Sequence, residues 1–529
     1  MRLDGLIAGE LVGDAASVEI SALAYDSRRV TAGALFFCVP GFNSDGHEFA
    51  PQAVRAGAAA LVVERPLQLG VPEVVVASAR AAMAPAAARF YGEPARELRV
   101  VGVTGTNGKT TTAYLVRALL EASGEQCGML GTVTSVIGGS EREVTRTTPE
   151  AIDLQADLRA MLDGGDRACA MEVSSHALEL GRVGAIGFAA AVFTNLTQDH
   201  LDFHASMEDY FQAKRRLFVP VGPGDASQLG REEAPGVSVI NIGDPYGRRL
   251  AAEAQGARTF AVDGPADYSA TDLHYELDRC RFTLDTPDGR RRLVLPMPGR
   301  FNVANALGAL AAVHALGGEL DVLVAALERG VRVPGRFEPV DEGQDFAVVV
   351  DYAHTPDSLE NVLRAARELA DSGGRGRVLC VFGAGGDRDR GKRPLMGEIG
   401  ARLADVVLVT SDNPRSEDPE QIIREIMDGV VGAPGEADGR QGASGPEGRE
   451  RERVRALTDR GAAIGEAIAR ARGGDVVVIA GKGHEQGQEL ASGQKIPFDD
   501  VAVARAALRA RDHAGPHATL AGRAGAGAA

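Results

Sequence analysis

Residues 98–112, LRVVGVTGTNGKTTT, place a glycine-rich turn, a lysine and a run of threonines directly after an apolar run. Leu98 to Val103 read as a buried strand, and Leu115, Leu119 and Leu120 recur at helical spacing, so Gly105, Thr106, Asn107, Gly108, Lys109, Thr110 and Thr111 fall between strand and helix. Such a turn is an anion site. Backbone N–H groups and the helix N-terminus point at a phosphate, the glycines let the main chain approach, Lys109 supplies charge and Thr110 offers a hydroxyl to magnesium. ATP is the expected occupant. The standard pattern has four residues between its first glycine and Gly-Lys, whereas five separate Gly102 from Gly108, so the site is of a variant kind.

Further along, the strand ACAMEV ends in Glu172, followed by Ser174, and the strand AAAVFTN leads into Leu-Thr-Gln-Asp-His-Leu with His200. Alternating strands and helices require a mostly parallel sheet, and Glu172 then sits at the carboxyl edge that carries the phosphate turn, as a magnesium ligand. The segment YFQAKRRLF carries apolar Tyr210, Phe211, Leu217 and Phe218 on one side of a helix; its Lys214, taken alone, reads as solvated.

The elements that position these residues divide a 529-residue chain into three α/β domains. Residues 1–97 alternate short strands and a helix, with polar loops at Tyr25 to Arg29 and Gly41 to Gly46 that alone read as surface turns. Residues 98–332 form the central domain, with hairpins over 258–297 and a helix opened by PGRFNVAN. Residues 333–512 form a third, Rossmann-like domain with strands AVVVD, RVLCVFG, VVLVT and VVVIAG. The loops after those strands, DYAHTPD, GAGGDRDRGKR, SDNPRS and KGHE, are charged and make a binding crevice at the carboxyl edge. GAGGDR lacks dinucleotide spacing. Residues 431–453 read as a mobile insertion and 513–529 as a disordered tail.

With 57 basic and 73 acidic residues and a formal charge of -16, a nucleic-acid surface is excluded, and anionic ligands fall to local pockets. The five cysteines are scattered without a CxxC pair, which argues for reduced thiols rather than zinc or disulfides. Neither a signal peptide nor an apolar run near the ~18 residues of a membrane span is present, so a soluble cytoplasmic protein is expected.

The motifs GTNGKTT, MEVSSHAL, TNLTQDHLDFH, YFQAKRRLF, GRFNVANALGAL, PGRFE, DYAHTPDSL, GAGGDRDRGKRP, SDNPR and GKGHE occur in the order of the Mur ligases. The chain resembles that family, ATP-dependent amide-forming enzymes of peptidoglycan synthesis, over about residues 20–510. The resemblance implies a monomer whose partners are ATP, magnesium, UDP-N-acetylmuramoyl-L-alanyl-D-glutamate and, from SDNPR, meso-diaminopimelate rather than lysine. It implies that Asn302, Arg336 and Asp351 contact the nucleotide. Tyr25, Ser27, Phe42, Asn43 and Ser44 would hold the UDP end, and Thr147, Thr148, Ser174 and Arg182 the rest of that substrate, with Leu180 where some members carry glutamine. Arg388, Asp412, Asn413, Pro414, Arg415, Gly481 and Glu485 would hold diaminopimelate. A buried arginine left unpaired by lysine would then penalise that acceptor. Lys214 matches a lysine that is carbamylated to ligate a second magnesium, and His200 a residue near that metal. Rival expectations are a ligase adding lysine or another diamino acid, a folylpolyglutamate-type synthetase, or a non-ligating nucleotide-dependent regulator.

Overall fold

The computed structural model describes residues 1–13, 18–41, 44–220, 233–276, 279–372, 374, 376–431 and 453–514. Phe42 and Asn43, most of the 431–453 insertion and most of the terminal tail lie outside them.

Three sheets follow one another along the chain. In the first, Glu10–Val12, Glu73–Val75, Ala60–Val63, Ala34–Phe37 and Ala22–Ala24 stand side by side, parallel except at the first pairing. Ala34–Phe37 and Ala60–Val63 are buried throughout, as continuous apolar runs in a covered parallel sheet must be.

The central sheet has eleven strands. Arg99–Thr104 lies at its middle, flanked in parallel by Ala168–Glu172 and Phe188–Phe193. The helices Lys109–Ala122 and Arg300–Ala315 share the apolar cluster on one face, where Leu115, Val116, Leu119 and Leu120 meet Val303, Leu307 and Leu310. Gly102 belongs to the strand and not to the turn. A Cβ there would stand 2.6 Å from the Phe188 ring, so this glycine makes room for an aromatic neighbour and has no part in holding phosphate. That explains the misfit to the standard spacing. The 258–297 segment is only partly hairpins: Arg258–Val262 pairs in parallel with both Val237–Asn241 and Tyr268–Tyr275, and antiparallel pairing begins only with Cys280–Thr286 and Gly289–Leu295.

In the third sheet, Ala347–Asp351, Val476–Ala480, Val378–Phe382 and Val406–Thr410 are neighbours in that order and all parallel. Their following loops therefore leave one edge together. Two elements have no counterpart in the sequence reading: an edge strand Val454–Leu457 and a small hairpin of Gly487–Glu489 with Lys495–Pro497. Both are short, with strands of three or four residues, so periodicity is silent on them. The final helix runs Asp500–Ala514, so residues 513 and 514, assigned above to the tail, are helical. Among the described residues no helix is long and apolar enough to cross a membrane. All five cysteines are buried and free.

Candidate active site

The phosphate turn is built by exclusion of side chains. Gly105 has φ +152° and Gly108 φ +84°; a Cβ would meet Thr194 Oγ1 at 1.9 Å and Asn305 Oδ1 at 2.3 Å respectively. The turn is also bonded to the chain that follows Phe188–Phe193. Asn107 N–H donates to Asn195 Oδ1 at 2.9 Å, Thr194 Oγ1 donates to Asn107 O at 2.6 Å, and Thr106 N–H donates to Asn195 O at 2.9 Å. The loop is thus held open before any ligand arrives.

Two lysines, one half-buried and one fully buried, converge on it. Lys109 Nζ donates to Gly105 O at 3.1 Å and Thr106 O at 2.7 Å, and burial lowers its pKa. Lys214, which reads as solvated in isolation, is only 1% exposed; its Nζ donates to Gly105 O at 2.7 Å and stands 4.6 Å from the Tyr210 ring centre. Burial, and then the charge of Lys109, hold the Lys214 ammonium well below its ordinary range. Its helix ends at Arg215, and Leu217 and Phe218 are buried just beyond it. Two cations whose hydrogen bonds go only to carbonyls, among the described residues, suit an anionic ligand.

Glu172 closes its strand in register with Val103, one residue before Thr104 ends the neighbouring strand, and is 1% exposed. Its carboxylate accepts from Thr132 N–H at 2.7 Å and Thr132 Oγ1 at 3.1 Å. Thr110 Oγ1 accepts from Arg336 Nη2 at 3.1 Å, so a third-sheet residue already reaches the start of the phosphate helix. Among the described residues no cluster of three or more His, Cys, Asp or Glu side chains converges as a metal site. A magnesium ion fits here only with phosphate oxygens completing the set from Thr110 and Glu172.

His200 lies beside Asp199 at 3.4 Å, with φ +55°, and burial pushes its pKa to about 4. Asn302 is buried at the start of its helix, where its Nδ2 donates to Pro298 O at 2.8 Å. Arg336 stacks on the Tyr352 ring at 4.4 Å. Asp351 ends its strand, and both its carboxylate oxygens take backbone donors, Phe337 N–H at 2.6 Å and Ala353 N–H at 2.7 Å. Its first task is shaping its own loop, and any ribose contact uses remaining lone pairs.

Thr148 Oγ1 donates to Glu172 O at 2.9 Å and accepts from Ser174 N–H at 3.1 Å, while Arg182 Nη1 donates to Thr148 O at 3.1 Å. Thr147 Oγ1 lies 3.1 Å from Thr132 Oγ1. These residues come together around the end of the Glu172 strand. Glu150 is shared by Arg146 at 2.7 Å, Arg182 at 2.8 Å and Arg80 at 3.7 Å, an excess of positive charge suited to an anionic substrate. Leu180 follows the helix Ser175–Glu179 and brings no polar group. Tyr25 OH donates to Asp153 Oδ2 at 2.6 Å and borders a cavity of about 530 Å3 that also meets Arg29, Arg146, Glu150 and Asp157. Ser27 Oγ donates to Gln52 at 3.1 Å, and Ser44 is exposed, its carbonyl accepting from Gly41 N–H at 2.9 Å.

At the third sheet, Asp412, Asn413 and Pro414 are buried and Gly481 has φ +118°. Asn413 Nδ2 donates to Glu485 Oε2 at 2.8 Å. Neither arginine of the acceptor expectation is buried. Arg388 is exposed, with Nη1 on Asp387 O, and Arg415 is partly exposed and already ion-paired, its Nε to Glu489 Oε2 at 3.0 Å and Nη1 to Gly386 O at 2.8 Å. The hairpin strand Gly487–Glu489, missed in the sequence, supplies that carboxylate. Arg415 thus has a carboxylate partner within the protein, so a lysine acceptor would not leave it wholly unpaired.

The family models for the Mur ligase family catalytic domain, the Mur ligase middle domain and the Mur ligase glutamate ligase domain match residues 19–100, 103–313 and 335–483. The chain belongs to the Mur ligase family. It is 46% identical over 496 residues to the UDP-N-acetylmuramoyl-L-alanyl-D-glutamate--2,6-diaminopimelate ligase of Syntrophomonas wolfei, covering 93% of this chain and 95% of that one. It is 45% identical over 502 residues to the ligase of the same name from Streptomyces coelicolor, covering 93% of each. A solved structure of a ligase of this name superposes with a TM-score of 0.67 at 32% identity, over 97% of this chain and 99% of that one. The fold is also that of the MurF ligase of Thermotoga maritima in complex with ADP, TM-score 0.60 at 19% identity, over 93% and 97% of the two chains.

Two lysines of this Mur ligase escape the sequence reading of the site. Lys482 is fully buried, its Nζ on Asn413 Oδ1 at 2.7 Å, Gly487 O at 2.8 Å and Glu485 Oε2 at 3.3 Å, so it ties two loops of the crevice together. Its setting between two glycines after an apolar strand was the available signal. Lys392 opens the helix Lys392–Leu403, and burial lowers its pKa while Asp199 and Asp412 oppose that shift. One lysine thus feels the central and third sheets at once, a relation no linear motif displays.

Proposed function

We propose that this Mur ligase spends ATP to join an amino group of meso-diaminopimelate to the D-glutamate side-chain carboxylate of UDP-N-acetylmuramoyl-L-alanyl-D-glutamate, a step of peptidoglycan precursor synthesis in the cytoplasm. The observation that carries this reading is the hydrogen bond from Arg336 Nη2 to Thr110 Oγ1 at 3.1 Å, which brings the third domain onto the start of the phosphate helix. A phosphate site and an amino-acid site share one crevice.

Residues 1–97 would bind the UDP end, 98–332 ATP, and 333–512 the incoming amino acid. The phosphate turn and Lys109 hold the ATP phosphates, and the Arg80, Arg146 and Arg182 group draws the anionic substrate toward Glu172. The D-glutamate carboxylate attacks the γ-phosphate, the bond to ADP breaks, and an acyl phosphate forms. The amine then attacks the carbonyl and phosphate leaves. Positioning and charge neutralisation supply most of the rate, as in phosphoryl transfer generally. Thr110 and Glu172 would hold one magnesium ion and a carbamylated Lys214 a second, and bound magnesium would neutralise phosphate charge further. Burial lowers the pKa of the Lys214 amine and so favours the neutral form that adds CO2, and the resulting carboxylate would face Lys109. Asn413, Arg415 and Glu485 orient the acceptor, Arg415 presenting its guanidinium to the far carboxylate.

The test is ADP release by the purified protein with ATP, magnesium and UDP-N-acetylmuramoyl-L-alanyl-D-glutamate, given meso-diaminopimelate or L-lysine in parallel. ADP only with diaminopimelate is expected. Equal turnover with lysine would sink the acceptor assignment, and no acceptor-dependent ADP would sink the ligase.

A further inference from the structure

Asp357 takes no part in the reaction outlined above. It is the second residue of the helix Pro356–Ser372, in the third domain, within the DYAHTPDSL motif. Its Oδ2 accepts from Asn107 Nδ2 at 2.6 Å, Thr197 Oγ1 at 3.0 Å and Asn361 Nδ2 at 3.0 Å. Asn107 belongs to the phosphate turn. Thr197 is bonded to that turn as well, its N–H donating to Thr106 Oγ1 at 3.0 Å and its carbonyl accepting from the same hydroxyl at 3.1 Å.

A local role as helix cap is already filled by others. Thr355 N–H donates to Ser358 Oγ at 3.0 Å, and Ser358 N–H donates to Thr355 Oγ1 at 3.3 Å, a reciprocal pair that closes the helix start. Asp357 therefore turns its carboxylate outward across the interface between the third and central domains. Burial raises its pKa, and among the described residues its partners are amides and a hydroxyl rather than a cation. A half-buried carboxylate is costly unless its hydrogen bonds are kept, so the contact favours one docked position of the third domain.

Resting on the ligase reading, we propose that Asp357 is a positioning residue: it locks the third domain onto Asn107 and Thr197, so that the acyl phosphate made on the central domain meets the amine before water does. In the coupled reaction one ADP appears per amide bond. In the uncoupled one, water attacks the acyl phosphate, the carboxylate and free phosphate are returned, and ADP is released with no amide.

The experiment measures ADP and amide in the same reaction for the full-length wild type, Asp357→Ala, Asp357→Asn and Thr197→Val, with a thermal melt of each. Asp357→Ala should lower amide turnover about tenfold or more and raise the ADP-to-amide ratio above one. Asp357→Asn keeps an acceptor oxygen and should recover part of both. Thr197→Val should raise the ratio by itself and add little in combination with Asp357→Ala. A ratio of one in Asp357→Ala, or lost turnover tracked wholly by a lower melting temperature with Thr197→Val unchanged, overturns the proposal. A wild type that releases no acceptor-dependent ADP overturns the ligase reading instead.

Discussion

Lys109 and Lys214 donate to one and the same oxygen, the Gly105 carbonyl, at 3.1 Å and 2.7 Å. They come from two helices and stand more than a hundred residues apart in sequence, and burial lowers the pKa of both. Two ammonium groups on one carbonyl repel each other until an anion arrives, whether phosphate at Lys109 or a carbamate on Lys214 itself.

Lys214→Ala should accordingly lower turnover by roughly a hundredfold or more, the scale of losing one preorganised charge contact. Carbamylation has its own readout. Mass spectrometry under native conditions should find one added CO2 on the wild type and none on Lys214→Ala, and carbonate-free buffer should reduce wild-type activity until bicarbonate is restored. Activity indifferent to both would refute the carbamate.

Gly102→Ala and Gly105→Ala separate packing from phosphate binding. At Gly102 the new methyl group meets the Phe188 ring at 2.6 Å, an overpacking cost of about 1–3 kcal/mol, visible as a lower melting temperature with ATP affinity retained. At Gly105 the methyl group meets Thr194 Oγ1 at 1.9 Å in a backbone at φ +152°, so ATP binding itself should be lost. Equal loss of ATP binding in both would mean that Gly102 does belong to the phosphate site.

Arg415→Lys keeps the charge and removes the planar fork. The KM for diaminopimelate should rise about tenfold or more while the KM for ATP stays near wild type, because hydrogen bonds to a charged group carry about 1.5–3 kcal/mol. An unchanged KM for diaminopimelate would release Arg415 from acceptor binding.

Acid should destabilise the fold before the carboxylates titrate. Burial pushes the pKa of His204 down to about 4, against an ordinary value of 6.5. Between those values the unfolded chain binds the proton and the folded chain does not, so stability is full above about 6.5 and falls as pH drops toward 4. Thermal melts at decreasing pH should show this decline, and His204→Gln should flatten part of it. A melting temperature constant across the window would contradict the burial argument.

Local regularities were legible in the sequence because they depend on near neighbours. An apolar strand followed by Gly-Thr-Asn-Gly-Lys-Thr reads as a strand-to-helix turn suited to phosphate, and four apolar runs each followed by a charged loop point to a parallel sheet with a crevice at one edge. The order of the motifs was enough for the family. Glu172 could be placed beside the phosphate turn because strand pairing in a parallel sheet is set by the same hydrophobic pattern.

Only the tertiary structure decided what each charged group meets. Lys214 reads as a solvated helix lysine because helical periodicity cannot show that its neighbours on every side are buried. The pairing of Arg415 with Glu489 goes unseen in the sequence because Glu489 stands 74 positions away, on a hairpin too short to be recognised. Asp357 is in sequence one more charge of the DYAHTPD loop, and only the fold brings it to Asn107 and Thr197 of another domain. Backbone conformation follows from local sterics and hydrophobic spacing, but the protonation and reach of a side chain depend on desolvation and on charges a few ångströms away, which chain order alone does not bring together.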